Sequence, residues 1–559
     1  MIAAIDLGTT HSLIGVHRAD GPTLFRNAHG ELLTPSVVSL DGDRVLVGRP
    51  ARDRLVTHPG LTVAGFKRLM GTDRDVRLGH RSFRPEELSA LVLRSLLADA
   101  EAALGTRIEE AVISVPAYFS DAQRKATRVA GELAGIRVER LVNEPTAAAL
   151  AYSVQDRQAE GRVLVLDLGG GTFDVSLLEL FDGVVQVHAS AGDNVLGGED
   201  FLDVLVAAFC SHHRIDLRYL APREAATLRQ RLEGLKRDLG QHGTAQLQIL
   251  LDGRELHWQI DEATFAGLAE PLLQRMRAPI ERAMRDARLS PSDLDDIVLV
   301  GGAMRMPMAT RLVTRLFGRL PLRHVPADQA VALGAAVAAG MKARDEALEE
   351  RVLTDVCPYT LGIKVGIATR HSLQQGHFHP IIPRNAAVPT SREAPVLAAE
   401  DGQPNLHIEI YQGESPMAEN NIKLGEIVLP LAPGRRNSGA RVRFTYDVNG
   451  LLQVEATEMA TGLRMEKVIE QNPGLLDPAQ IAQRLASLQA LKMHPREQQQ
   501  NLAVLTRAER LYEQHLGLRP TLQAWIVQFR TTLDTQDPAL IEPVRQRFHT
   551  AMDELESTP

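Results

Sequence analysis

The chain has few of the residues that mark secreted or nucleic-acid-binding proteins. Its 559 residues include only two cysteines, Cys210 and Cys357, so a disulfide framework is excluded and a reducing compartment is expected. Aromatic residues make up 4% of the chain and the formal net charge is −8, and both values argue against a nucleic-acid partner.

Long apolar runs are also missing. The longest, residues 330–341, is shorter than the roughly 18 residues that a membrane span requires. An acid, Asp6, interrupts the N-terminus before a signal-peptide core can develop. The sequence therefore predicts a cytoplasmic protein with no membrane partner.

Two segments of the chain repeat one another weakly, residues 5–16 and residues 166–177. Each consists of an apolar run, an aspartate, a turn of small residues and a second apolar run, which predicts a hairpin with an acid at the end of its first strand. The two aspartates, Asp6 and Asp167, lie 161 positions apart, about one domain length. The simplest interpretation is two related lobes that each present one hairpin to a shared cleft.

The character of the sequence changes along the chain. Strand-like and helix-like runs alternate over residues 1–345, which indicates an α/β architecture. A short connector follows at 346–355. Residues 356–474 then alternate with a period of two, as at Leu406 and Ile408, which is typical of antiparallel strands with one buried face. Residues 475–559 are predicted to form short helices.

The two hairpins suit phosphate binding. Glycines and small hydroxyl residues let backbone N–H groups approach an anion, and the preceding carboxylate can hold Mg²⁺ through water. One such turn would be weak evidence, but two matched turns and the separate Gly301–Gly302 turn together predict nucleotide binding. By composition alone, Lys67, Glu144, Lys236 and Arg237 would each be read as ordinary surface or helix-end charges.

Several longer motifs make the prediction more specific. They are IDLGTTHS (5–12), FKRLMG (66–71), VPAYFSDAQRKAT (115–127), VNEPTAAALAY (142–152), LDLGGGTFDVS (166–176), LGGEDF (196–201), VLVGGAMRMP (298–307), AVALGAA (330–336), AAEDGQ (398–403), YQGE (411–414) and NNIKLGE (420–426). With them the chain resembles the heat shock protein 70 (DnaK-type) molecular chaperone family over nearly all its length. The short lid and abbreviated linker are most similar to its HscC branch.

The resemblance implies a domain order. It places a two-lobed, actin-like ATPase domain at 1–345, an interdomain linker at 346–355, an antiparallel β-sandwich that binds peptides at 356–474 and a short α-helical lid at 475–559. The implied activity is hydrolysis of ATP to ADP and phosphate, coupled to binding of extended apolar segments of unfolded or specific client proteins in folding and the stress response.

The resemblance also implies roles for individual residues. It assigns catalysis to Lys67, Glu144, Asp167 and Thr172. It places Asp6 and Asp167 around Mg²⁺, mostly through water, with K⁺ as a further candidate ion. It assigns ATP or ADP binding to Asp6, Gly8, Thr9, Thr10, His11, Gly169, Gly170, Gly171, Thr172, Asp174, Gly197, Gly198, Glu233, Lys236, Arg237, Gly301, Gly302, Arg305 and Asp328.

For the β domain, the resemblance places the peptide pocket at Ile363, Val396, Ala399, Leu406 and Ile408. It places the linker contacts at Val352, Leu353 and Asp355. It implies client polypeptides and a J-domain co-chaperone as partners, and leaves the need for a nucleotide exchange factor open because the segments where such factors dock are short here. Arg351 and Thr354 interrupt a linker that is usually all apolar, which predicts weaker interdomain signalling.

Three alternatives remain open at this point. A sugar kinase on the same two-lobed fold would leave the alternating β domain unexplained. A nucleotide-dependent regulatory module with little chaperone cycling is opposed by the joint presence of the five residues Asp6, Lys67, Glu144, Asp167 and Thr172. A filament-forming protein is less favoured because nothing in the sequence suggests a polymer surface.

Overall fold

The computed structural model describes the whole chain apart from residues 156–159, 182, 323–325, 346–347, 349–351, 369–372, 400–401, 433–438, 448–449, 470–494, 498 and 558–559. The chain divides into two compact units, Met1–Pro358 and Tyr359–Pro559. The predicted boundary between sandwich and lid, at 474–475, lies outside the described residues, as do Arg351 and most of the predicted linker N-terminal to it.

The first part of the N-terminal unit is built around one mixed sheet. Its elements are β1 (Ile2–Asp6), β2 (His11–Arg18), β3 (Gly21–Leu24), β4 (Thr34–Pro35), β5 (Val37–Asp41), β6 (Arg44–Val47), α1 (Arg49–Thr57), β7 (Thr62–Ala64), a 3₁₀ turn (Phe66–Leu69), β8 (Val76–Leu78), β9 (Arg81–Phe83), α2 (Pro85–Leu104), β10 (Glu110–Val115), α3 (Asp121–Ala134), β11 (Arg137–Asn143) and α4 (Glu144–Gln155). Helix α3 begins directly after Ser120, which forms a capping box with Gln123.

The second part of this unit contains the second mixed sheet. Its elements are β12 (Gly161–Leu168), β13 (Phe173–Phe181), β14 (Val184–Asp193), α5 (Gly198–His213), α6 (Pro222–His242), β15 (Thr244–Leu251), β16 (Arg254–Asp261), α7 (Glu262–Leu268), α8 (Glu270–Asp286), β17 (Asp296–Val300), a 3₁₀ turn (Gly302–Arg305), α9 (Pro307–Phe317), α10 (Ala330–Lys342) and β18 (Val352–Val356).

The two sheets share one plan. The first sheet has the order β11-β10-β1-β2-β3, and the second contains the order β17-β12-β13-β14. In each, the repeated hairpin is antiparallel and the strand that carries the aspartate pairs in parallel with its other neighbour, β10 or β17. The weak repeat in the sequence therefore corresponds to a repeat of sheet topology.

Helices α4 and α10 pack closely against each other, next to both sheets. A Cβ atom on Gly334 of α10 would overlap the backbone of Ala147 in α4, so only glycine permits this approach. Small residues dominate both helices, and Ala147, Ala148 and Ala335 are fully or nearly fully buried. The resulting apolar cluster holds the two sheets in one unit.

The connector predicted before the β domain is in fact a strand. Residues Val352–Val356 form β18, which pairs in parallel with β14 through Val184↔Val352 and Gln186↔Thr354. Leu353 is partly buried against the apolar cluster of α4 and α10. The linker residues Val352, Leu353 and Asp355 therefore belong to the N-terminal unit in this structure.

The C-terminal unit begins with two antiparallel sheets. Its strands are β19 (Leu361–Ala368), β20 (Leu373–Ile382), β21 (Ala387–Val388), β22 (Thr390–Leu397), β23 (Asn405–Gln412), β24 (Ile422–Pro430), β25 (Gly439–Tyr446), β26 (Leu452–Glu458) and β27 (Arg464–Ile469). One sheet has the order β20-β19-β23-β24 and the other β22-β25-β26-β27. Leu406, Ile408 and Ile410 are buried while His407 is exposed, as the alternation predicts.

Three helices close the described chain, α11 (Gln499–Gln514), α12 (Arg519–Asp534) and α13 (Pro538–Ser557). They bury their own apolar cluster, which includes Leu522, Phe529 and Met552. The turn between α12 and α13 contacts β22: the Glu393 N–H donates to Gln536 Oε1 at 3.0 Å, and Gln536 Nε2 donates to the Glu393 carbonyl at 2.9 Å. No helix within the described ranges has the length and apolar character needed to cross a bilayer.

Candidate functional site

The two repeated hairpins meet at their turns. A Cβ atom on Gly170 would overlap the Thr10 side chain, and one on Gly171 would lie 2.9 Å from Thr9 Cγ2. Gly8 is equally restricted, because a Cβ there would overlap the backbone of His11. Close packing therefore requires glycine at positions 8, 170 and 171. Glycine also lets backbone N–H groups meet an anion with no side chain in the way.

A third loop joins these turns. The N–H groups of Gly198 and Glu199 both donate at 2.9 Å, to the carbonyls of Gly169 and Gly170 respectively. A Cβ on Gly197 would overlap the backbone of Gly170 and Gly171. The structure thus brings three predicted glycine segments, 8–10, 169–172 and 197–198, together around one point; the last of these begins helix α5.

Three aspartates converge beside this point. Desolvation by burial and the nearby Glu144 carboxylate raise the pKa of Asp6 to about 7, although a 2.8 Å hydrogen bond from Ser114 Oγ opposes the shift. Asp174 is fully buried, and the same two causes raise its pKa to about 7. Burial, followed by the charges of Glu144, Asp174 and Asp6, raises the pKa of Asp167 well above its usual value.

One buried ion pair faces the carboxylates. Lys67 Nζ lies 2.8 Å from Glu144 Oε1, and the two side chains are 6% and 10% exposed. Lys67 also lies 5.5 Å from the ring centroid of Phe119. Lys67 lowers the pKa of all three aspartates, but it is paired with Glu144 and does not neutralise them.

These residues fit a hydrated divalent cation. Asp174 Oδ1 accepts from the Tyr118 N–H at 3.0 Å, while its Oδ2 is buried without a protein partner. A cation in the cluster would lower the raised pKa values, because it favours the ionised carboxylates. Within the residues the structure describes, no group of three or more His, Cys, Asp or Glu side chains has direct metal-binding geometry. The unpartnered Asp174 Oδ2 can accept a hydrogen bond from a water molecule on an ion such as Mg²⁺, which commonly keeps several waters.

The charged residues predicted for the adenosine form two sets of ion pairs. Lys236 Nζ donates to the Gly198 carbonyl at 2.8 Å and pairs with Glu233 at 2.6 Å, and Arg237 Nε pairs with Glu233 at 3.0 Å. Arg305 pairs with Asp328 at 2.9 Å.

His11 lies in the field of these charges. Burial, together with the positive charges of Arg237 and Arg52, lowers its pKa to about 4, so the imidazole is neutral at pH 7. At the next turn, Gly301 has φ of 85°, and a Cβ there would lie 2.6 Å from Asp167 Oδ1. Gly302 begins the 3₁₀ turn that carries Arg305.

The residues predicted for a peptide pocket lie in both sheets of the C-terminal unit and in the segment that joins them. Ile363 pairs with Ile410 across β19 and β23, and Leu406 and Ile408 share the buried face of β23. Val396 is half-buried near the end of β22 in the other sheet, and Ala399 is exposed in the loop between β22 and β23.

The chain is similar to proteins of one known family. A family model described as Hsp70 protein matches residues 2–78 and 73–558. The Chaperone protein DnaK of Thermotoga neapolitana is 42% identical over 486 residues, which cover 84% of this chain and 80% of that protein. The protein of the same name from Thermosipho africanus is 40% identical over 484 residues, covering 84% and 79%.

The chain belongs to the Hsp70 protein family. It is an ATPase and an ATP-dependent molecular chaperone, and the alternative of a regulatory binding module with little chaperone cycling is not favoured. The relatives given above carry the name DnaK, so the resemblance to the HscC branch stays a prediction.

Two residues of this Hsp70 chain were not singled out from its sequence. Asn143 lies between Arg124, whose Nη2 donates to Asn143 Oδ1 at 2.7 Å, and the linker residue Asp355. Arg68 contacts both Gly171 and Asp200. Both residues lie inside quoted motifs, next to Glu144 and Lys67 respectively, and that proximity was the available signal.

Proposed function

We propose that ATP is hydrolysed where the two hairpin turns meet, with Lys67, Glu144, Asp167 and Thr172 as the catalytic residues. The observation that carries the proposal is the buried Lys67–Glu144 ion pair, which faces three carboxylates of raised pKa beside three glycine loops. Residues 1–345 would form the two-lobed, actin-like ATPase domain that contains this site.

In the proposed mechanism, water attacks the γ-phosphorus while the bond to the ADP oxygen breaks. Phosphoryl transfer needs mainly positioning and charge stabilisation from the protein. Lys67 and Glu144 orient the water, because each fixes the other at 2.8 Å in a site with little exposure. Backbone N–H groups of the glycine turns and the Thr172 hydroxyl hold the phosphate oxygens.

The fit of the carboxylates extends the proposal to Mg²⁺. Asp6 and Asp167 would hold the ion mostly through water, and Asp174 belongs to the same cluster. The ion would supply charge neutralisation to the phosphates. Glu233, Lys236, Arg237, Arg305 and Asp328 would surround the adenosine with Gly301 and Gly302. K⁺ stays a prediction from the resemblance.

We extend the proposal to client binding and its control. An extended apolar segment would place one side chain in the pocket of Ile363, Val396, Leu406 and Ile408, near Ala399. Strand β18 would report the nucleotide state through Val352, Leu353 and Asp355. The proposed partners are unfolded or specific client polypeptides and a J-domain co-chaperone.

Lys67→Ala tests the catalytic assignment. Because Lys67 lies beside the carboxylates and Glu144, its loss should leave ATP binding within about threefold while steady-state hydrolysis falls by about a hundredfold or more. Binding is measured by calorimetry and hydrolysis by phosphate release.

Lys342→Ala provides the matched control. Lys342 is a half-exposed lysine at the end of α10, with Glu139 3.6 Å away. Its variant should retain both binding and turnover. Unchanged hydrolysis in Lys67→Ala would remove Lys67 from the mechanism.

A further inference from the structure

A single arginine joins two loops of the candidate nucleotide site. Arg68 lies on the 3₁₀ turn Phe66–Leu69, and its Nε and Nη2 both donate to the Gly171 carbonyl at 3.3 Å. Its Nη2 also forms an ion pair with Asp200 Oδ2. The same Asp200 oxygen accepts from the Gly197 N–H at 2.8 Å. One guanidinium therefore contacts the 169–172 turn directly and the 197–198 loop through Asp200.

The contact spans two separate apolar cores. Phe66 and Met70, on either side of Arg68, are 3% and 1% exposed in the cluster beneath the first sheet. Leu196 and Phe201 flank residues 197–200 at the start of α5, and both are buried in the cluster beneath the second sheet. Both ends of the contact are thus fixed to rigid parts of the unit, so the contact resists their separation.

The geometry requires arginine. A Cβ atom on Gly171 would lie 2.8 Å from Arg68 Nε and 3.0 Å from Arg68 Cγ, so the stem of the side chain lies on that glycine. The side chains of Arg68 and Asp200 are 23% and 21% exposed, which protects their pairing from full solvent screening. A lysine could reach one of these acceptors but lacks the planar fork that reaches both.

We propose that Arg68 is a positioning residue that holds the lobe of the first sheet against the two phosphate loops, and so sets how long a nucleotide stays bound. The inference rests on the proposed function, because it takes these loops as the phosphate site. Lys67 is positioned by Glu144 and not by Arg68, so the chemical step should be largely independent of this contact.

The test measures release and chemistry separately. Loss of a charge-assisted pair should speed dissociation of a fluorescent ADP analogue about tenfold in Arg68→Ala. Single-turnover hydrolysis of bound ATP should stay within about a factor of two of wild type, because the reacting groups are retained. Arg68→Lys should release ADP nearly as fast as Arg68→Ala.

A double-mutant cycle of Arg68 and Asp200 tests whether the contact between these two side chains causes the effect. Asp200→Asn keeps an acceptor for the Gly197 N–H while removing the charge, so it should also speed release. The double variant should release ADP no faster than Arg68→Ala, since both changes remove one interaction. Arg74→Ala, at an exposed arginine six positions away, should match wild type.

Three results would overturn the proposal: unchanged ADP release in a folded Arg68→Ala protein, rescue by Arg68→Lys, or additive effects with Asp200→Asn. A lower melting temperature with unchanged release would show a structural role only. If wild type neither binds nor hydrolyses ATP, the proposed function fails. If wild type binds and hydrolyses ATP and the Arg68 variants release ADP at the wild-type rate, the proposed function stands and only the positioning role of Arg68 is wrong.

Discussion

The side-chain amide of Asn143 donates a hydrogen bond of 2.7 Å to the carboxylate of Asp355, 212 positions further along the chain. Asn143 ends β11, and the next residue, Glu144, forms the buried pair with Lys67. Arg124 supports Asn143 from the other side and also donates to the carbonyls of Ala117 and Phe119. The end of the linker strand is therefore one residue removed from the proposed catalytic pair.

Asn143→Ala should weaken the coupling between peptide binding and hydrolysis. Burial raises the pKa of Asp355, and the variant removes one of the donors that favour its ionised form. We expect peptide stimulation of the ATPase to lose about 1–2 kcal/mol of coupling, with basal turnover retained. Phosphate release with and without a leucine-rich peptide measures both.

Asn27→Ala is the control for this change, because Asn27 accepts hydrogen bonds from the backbone N–H groups of His29 and Glu31 in its own loop. It should leave stimulation intact. Full stimulation in Asn143→Ala would show that Asp355 does not transmit the nucleotide state by this route.

Leu406→Asp should weaken peptide binding by about tenfold or more, because it places an unpaired charge in an apolar pocket. His407→Asp introduces the same acid one position along β23, on the exposed face, and should bind peptide normally. Fluorescence anisotropy of a labelled leucine-rich peptide in ADP distinguishes the two. Leu406→Ala adds no charge, so it separates an effect on the pocket from unfolding caused by a buried charge. Equal affinity of the two Asp variants would place the pocket elsewhere.

Asp174→Asn should change how stability depends on pH without nucleotide or Mg²⁺. The pKa of Asp174 is raised to about 7 from a usual value of 3.8, so the folded chain binds more protons than the unfolded chain between these values. Its contribution to the free energy of unfolding therefore falls as pH rises from about 4 to about 7.

The amide of the variant carries no charge. The free energy of unfolding of the variant minus that of wild type should therefore be larger at pH 8 than at pH 5, by roughly 1–3 kcal/mol. Urea unfolding at the two pH values measures this gap. Asp73→Asn, at a fully exposed carboxylate, should show no gap. A gap of zero for Asp174→Asn would mean that its carboxylate is not destabilised by burial.

Local patterns were sufficient to predict much of the fold. The repeated hairpins at Asp6 and Asp167 and the alternation at Leu406 each depend on residues close together in sequence. Such features are decided by turn chemistry and side-chain periodicity, which one sequence displays directly.

The rest depends on distant partners. A short apolar run such as Val352–Val356 fits a connector as well as a strand, and only β14, more than 150 positions earlier, decides between them. Arg68 reads as a solvated charge until Asp200, 132 positions away, is placed beside it. Asn143 likewise has no visible role until the fold brings Asp355 to it.

The contact between Gln536 and Glu393 has a consequence for self-association. Strand β22 is the outermost strand of its sheet, and such a strand offers unpaired backbone groups to any extended chain. The side-chain amide of Gln536 forms hydrogen bonds with both the N–H and the carbonyl of Glu393. The next residue on the same side of the strand, Pro395, has no backbone N–H to donate. These features therefore hinder an unfolded client chain, or a second copy of the protein, from adding to this edge of the sheet as a further strand.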